Sequence, residues 1–156
     1  MIDQVVKEFS ERSSDMLSQL GIPAPSKPTK DLLFPEDLGS IADQDLSEHL
    51  TYWAAMCSYI VHKVSILEGS LVLSRKELDQ EYDLRWMAAS RLGGTSSDRK
   101  HKVMSTKVML SLRDRVATID SDLKVLKSVL AGYELKNSAI SREITRRQTE
   151  RQLKYG

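Results

Sequence analysis

The chain has 156 residues, 40% of them hydrophobic and only 6% aromatic, with a formal net charge of +1. That length fits one domain, or one domain plus an arm, and the aromatic supply is lean for a compact core. The single cysteine, Cys57, excludes an internal disulfide and reads as a reduced packing residue of a cytoplasmic protein. The N-terminus carries no secretory signal, and no apolar run approaches the length of a membrane span.

In chain order, residues 2–20 predict a short amphipathic helix with Ile2, Val5, Val6, Phe9, Met16, Leu17 and Leu20 on one stripe. Gly21 supplies its stop, because the residue after a helix commonly takes a left-handed conformation. The segment Ile22-Pro23-Ala24-Pro25-Ser26-Lys27-Pro28 then forms a semi-rigid strap, since each proline fixes φ and biases its predecessor towards extended geometry. It leads to Leu32-Leu33-Phe34-Pro35, an apolar knot expected to dock on the rest of the chain or on a neighbouring subunit. The N-terminal helix itself either folds back on its own chain or exchanges between subunits. The expected organisation is an N-terminal helix over 1–21, a Pro-rich linker over 22–39 and a helical hairpin over 40–156.

The hairpin follows from two apolar seams that step in alternating fours and threes. Over 43–91 the seam is Leu46, Leu50, Trp53, Cys57, Ile60, Val64, Leu67 and Leu71, interrupted at Ser74, resuming at Leu78 and Tyr82, and fading towards Trp86 and Leu92. Over 98–153 it is Leu112, Val116, Ile119, Leu123, Leu126, Leu130, Tyr133, Asn137, Ile140 and Ile144. A mean step near 3.5 is the period of a helix that keeps facing a partner helix. Between the runs lies Gly93-Gly94-Thr95-Ser96-Ser97, the strongest turn signal in the chain. Ser40 with Asp43 resembles a capping box for the first long helix, and Ser97 or Asp98 is expected to cap the second. Folded about the turn, the chain places Leu46 opposite the neighbourhood of Ile144 and lets Arg146 to Lys154 project past the first helix. The fold class is therefore all-α, a long antiparallel coiled-coil-like hairpin whose burial is completed by homo-oligomerisation. Asn137 on the seam either sets register or marks a frayed or exposed helix end.

Chemistry is sparse. The sequence has no glycine-rich phosphate loop, no Cys or His pair at metal spacing, and no Ser-His-Asp grouping that helices would bring together. His49, His62 and His101 fall on different turns. No catalytic residue, metal or cofactor is expected, and the chain reads as a binding protein rather than an enzyme.

Charge is more informative. Residues 1–96 hold nine Lys and Arg against fifteen Asp and Glu; residues 97–156 hold fourteen against seven. Around the turn stand Arg85, Arg91, Arg99, Lys100, Lys102 and Lys107, with Trp86 and His101 beside them. Cations next to an aromatic and a pliant loop suit a single nucleic-acid strand, whose phosphates are neutralised and whose bases can stack. A second basic cluster, Arg142, Arg146, Arg147 and Arg151 with Lys154, lies near the C-terminus. The competing reading of both clusters is a solvated coiled-coil face or ion pairing with the acidic half.

Over roughly 43–147 the chain resembles the UvsY-type recombination mediators of tailed phages. The resemblance rests on Tyr52-Trp53, the basic residues before a Gly-containing loop, the Asp98-Arg99 entry with Lys102, and the phase of Leu110, Asp114, Val116 and Asp120. It implies a non-enzymatic, ring-forming accessory that binds single-stranded DNA and helps a RecA-like recombinase replace single-strand-binding protein, in the cytoplasm of a bacterial host. Carried over, the DNA-contacting residues are Arg85, Arg91, Arg99, Lys100 and Lys102. The first 40 residues have no counterpart in that family. The alternative is a structural coiled-coil protein of phage scaffold or adaptor type with no nucleic-acid role.

Overall fold

The computed structural model describes residues 2–91 and 93–155, and the described residues are helical without a strand. Four α-helices follow in order: α1 (Ile2–Gln19), α2 (Asp43–Ser90), α3 (Ser96–Met104) and α4 (Lys107–Tyr155), with a short 3-10 turn at Leu38–Ser40. The contacts divide the chain into two compact units, Met1–Ile22 with Ser65–Val125 and Pro23–Val64 with Leu126–Gly156. Helices α2 and α4 contribute to both units, so each unit holds a pair of long-helix segments.

In the second unit the start of α2 meets the end of α4. Leu46, Trp53, Met56 and Ile140 are buried together, with Leu50, Tyr133 and Ile144 against them. Leu46 therefore lies beside Ile144, as the antiparallel register requires. Three residues of the strap side, Phe34, Leu38 and Ile41, pack on the same core. Phe34 is the docked member of the expected apolar knot, whereas Leu33 is 90% exposed. Burial, reinforced by Glu134, pushes the Cys57 thiol up, consistent with a packing role.

In the first unit the end of α2 meets α3 and the start of α4 through Ala89, Val103 and Met109, flanked by Leu78, Tyr82 and Met104. Further along, Leu71, Leu112, Ile119 and Leu123 are buried seam positions. Ser70 and Ser74 are fully buried too. The seam thus continues through Ser74 as small residues instead of breaking there. Ser70 is satisfied by donating to Ile66 O at 2.8 Å. Helix α1 lies in this unit and ends as expected at Gly21, whose φ of +68° goes with a Schellman pair of bonds, Ile22 N–H to Leu17 O and Gly21 N–H to Ser18 O.

Several expectations need correction. The second seam is not one helix from Ser97 or Asp98. The chain turns at Ser105-Thr106, which separates α3 from α4, and Thr106 donates its hydroxyl to Val103 O. The cap of α3 is Thr95, which forms a reciprocal capping box with Asp98, so Ser96 and Ser97 are helical and the turn is shorter than the polar run suggested. Ser40 is the last residue of the 3-10 turn that Asp37 caps, donating its hydroxyl to Asp37 O, and does not box with Asp43. Arg147 and Arg151 do not project past α2; both close on Asp43. Asn137 is neither frayed nor exposed, because α4 runs on to Tyr155 and its Oδ1 is buried without a partner among the described residues. Leu92, where the first seam was expected to fade, lies outside the described residues. Helix α2 also contains an 18-residue window of mean hydropathy 1.3 with at most two charged residues, one-third of it buried. That is long and apolar enough to cross a membrane by composition, contrary to the reading from unbroken apolar runs; isolated charges such as Lys63 had masked it. The same composition belongs to a helix buried along a seam.

Candidate nucleic-acid interface

The basic residues at the turn are placed by α2, α3 and the start of α4. Gly93 and Gly94 take φ of +79° and +92°, a conformation that L side chains avoid, and this lets the chain reverse within a few residues. The Thr95–Asp98 box then starts α3, and its carboxylate is held below the usual range by hydrogen bonds from Thr95. Packing of Val103 on Ala89 and Met109 fixes α3 against the ends of the long helices.

This frame orients two of the cations. The guanidinium of Arg99 stands 5.8 Å from the Trp86 ring centroid, and Trp86 also stacks on Tyr82 at 6.0 Å with a 21° interplanar angle. Arg85 and Lys102 flank one shallow hollow of about 180 Å³ floored by Ala88, Ala89 and Val103. Arg85 is held by Glu81, donating through Nε at 2.6 Å, so its charge is half spent locally. Arg91, Lys100, Lys102 and Lys107 are exposed and have no ion pair among the described residues. Asp98 is occupied in its cap. The tip thus carries a net surplus of uncompensated cations.

Trp86 is partly buried between Tyr82 and Arg99 rather than standing free. A base stacking there would have to share or displace the Arg99 guanidinium. Arg113, exposed and without an ion pair among the described residues, lies one turn and a half past Lys107 on α4. It escaped the sequence reading because Asp114 beside it cancels the local charge.

The C-terminal cluster is built differently. Arg147 donates to Ile41 O at 2.7 Å, Leu38 O at 2.9 Å and Gly39 O at 3.0 Å, and pairs with Asp43 and Glu143. Arg146 pairs with Glu143 and Glu150, and Arg151 with Asp43. Arg146 and then Arg147 pull the Glu143 carboxyl down to about 2, and Arg147 followed by Arg151 lowers that of Asp43. Of the four arginines expected as a second basic patch, Arg142 alone is exposed without an ion pair among the described residues. No group of three or more His, Cys, Asp or Glu among the described residues is placed to hold a metal ion.

Comparison with protein-family models, with curated proteins and with solved structures gave no match to this chain.

Proposed function

We propose that the chain is a single-stranded-DNA-binding accessory that helps load a RecA-like recombinase. The observation that carries the DNA-binding part is the contrast between the two basic clusters. Of the C-terminal arginines, Arg146, Arg147 and Arg151 are spent on Asp43, Glu143, Glu150 and backbone carbonyls, whereas Arg91, Lys100, Lys102 and Lys107 at the tip have no ion pair among the described residues. Four cations per tip bind phosphates weakly, with a salt slope of roughly −3 in log K for a single strand. Several tips on one strand would bind with avidity, because later contacts are intramolecular. The recombinase, and single-strand-binding protein as the displaced competitor, come from the family resemblance alone.

The test is filament assembly by a RecA-like recombinase on a strand precoated with single-strand-binding protein. The chain should shorten the lag before assembly. An unchanged lag removes the mediator role and leaves strand binding to be judged separately.

A structural assembly protein is the second reading. It is favoured by large apolar side chains left exposed on the long helices, among them Val72, Leu84, Met87 and Leu135, at 62–72% exposure. It requires self-association and indifference to nucleic acid.

A further inference from the structure

Helix α2 ends on the small residues Ala88, Ala89 and Ser90, and α3 packs on that end through Val103. Ala89 is buried in this contact, whereas Ala88 stays exposed. The small side chains leave a hollow of about 180 Å³, lined by Arg85, Ala88, Ala89, Lys102, Val103 and Thr106. Two methyl groups and one isopropyl group make its floor apolar. Its rim is cationic. Lys102 has no ion pair among the described residues, and Arg85 gives Nε–H to Glu81, which occupies one of the N–H donors of its guanidinium fork. Thr106 supplies the one hydroxyl on the wall. It donates its proton to Val103 O at 2.9 Å, so what its oxygen offers the hollow is an acceptor.

The chemistry of floor and rim selects the occupant. An apolar side chain of a protein would fill the floor but bring nothing to Arg85 and Lys102. A lone phosphate would meet the cations and leave the floor wet. A nucleotide within a strand brings both, a flat base that packs on apolar side chains and an anion on either side of it. Every base also carries an N–H on its pairing edge for the Thr106 oxygen. Trp86, the stacking platform expected from the sequence, is already taken by Tyr82 and Arg99. Phosphate contacts, moreover, cannot favour a single strand, because duplex has the higher charge density and the steeper counterion release. That preference needs a contact that only an unpaired base can make.

We propose that this hollow seats one unpaired nucleobase of the bound strand, with Arg85 and Lys102 on the phosphates to either side. The inference rests on the tip being a single-strand interface, and it adds the group that selects single strand over duplex. A duplex cannot use the seat, because its bases are paired and stacked. Thr106 meets an N–H that all four bases share, so the seat tolerates any sequence.

The test is Ala88→Leu, which fills the hollow from an exposed helical position, keeps the charge and installs another strong helix former. Parent and variant are titrated with labelled oligothymidylate, with a strand of equal length built of abasic sites, and with duplex. The parent should bind oligothymidylate about tenfold more tightly than the abasic strand. Ala88→Leu should bring oligothymidylate down to the abasic level, while abasic and duplex affinities and the salt slope stay as in the parent. Equal affinity of the parent for the two single strands overturns the base seat and leaves the phosphate contacts standing. Discrimination that survives in Ala88→Leu overturns it in the same way. No binding of any strand at low salt instead removes the tip as an interface, and the seat with it.

Discussion

The ammonium of Lys136 stands 4.3 Å from the centroid of the Trp53 ring, with Tyr133 at 5.5 Å and Phe34 at 5.7 Å around it. Trp53 meets Phe34, Tyr52 and Tyr133 edge-on at 5.9, 5.0 and 5.2 Å. One cation on α4 thereby ties the strap, through Phe34, to the core of α2. A cation over aromatic faces contributes on the order of 0.5–2 kcal/mol, more as it is desolvated. Lys136→Gln should lower the unfolding free energy by about 1 kcal/mol in urea denaturation, while Lys136→Arg should lower it less. An unchanged midpoint for Lys136→Gln would show that the rings hold the strap alone.

Eleven residues further along α4, and so on nearly the same face, Arg147 fastens the strap a second time. Its carboxylate partners set the pH dependence. The Glu143 carboxyl is depressed from 4.5 to about 2, and that of Asp43 is lowered from 3.8. A depressed carboxylate stabilises the fold above its unfolded value, and the contribution is lost as pH falls through the folded value. The strap should therefore stay fastened above about pH 4.5 and loosen progressively between that pH and about 2. Trp53 emission in a Trp86→Phe background reports the change, and Arg147→Met should abolish the transition by removing the anchor beforehand.

Gly69→Ala separates α1 from the rest of the fold. The added methyl collides with the far end of the Phe9 ring, which can withdraw because no described side chain of α1 is fully buried. Meanwhile α2 gains up to about 1 kcal/mol of helix propensity. The thermal midpoint should hold or rise, while trypsin cleaves after Arg12 faster than in the parent chain. Slower cleavage, or a large drop in midpoint, would mean that α1 is integral to the first unit.

Ile119 and Ile140 are fully buried, one in each unit. Alanine at either position should cost about 2–5 kcal/mol, the range for removing a large core side chain. Chemical denaturation of both variants checks it. A loss confined to one of them would show that the two units unfold separately.

The paired long helices were legible because a seam of Leu46, Trp53, Ile60, Val64 and Leu71 against Leu112, Ile119, Leu123 and Ile140 repeats over many turns. Repetition averages out local noise. Single-residue features were not legible. The break at Ser105-Thr106 lacks glycine or proline, so no propensity announces it. The notch at Gly69 looks like any mid-helix glycine until Phe9 is found in it. Arg147 and Arg151 looked free because Asp43 and the carbonyls of Leu38, Gly39 and Ile41 lie more than a hundred residues away in sequence. At the tip Arg91, Lys100, Lys102 and Lys107 are near one another in sequence and have no ion pair among the described residues, while Arg85 is paired with Glu81.

Fluorescence anisotropy decides whether this tip binds a single strand. A labelled single-stranded oligonucleotide is titrated across a salt series with the parent chain and with Lys100→Glu/Lys102→Glu, and duplex is titrated in parallel. Single-strand binding should fall steeply with salt and weaken at least tenfold in the variant, with helicity and oligomer size unchanged. Binding that survives the double reversal, or no binding by the parent chain even at low salt, would contradict strand binding at the tip.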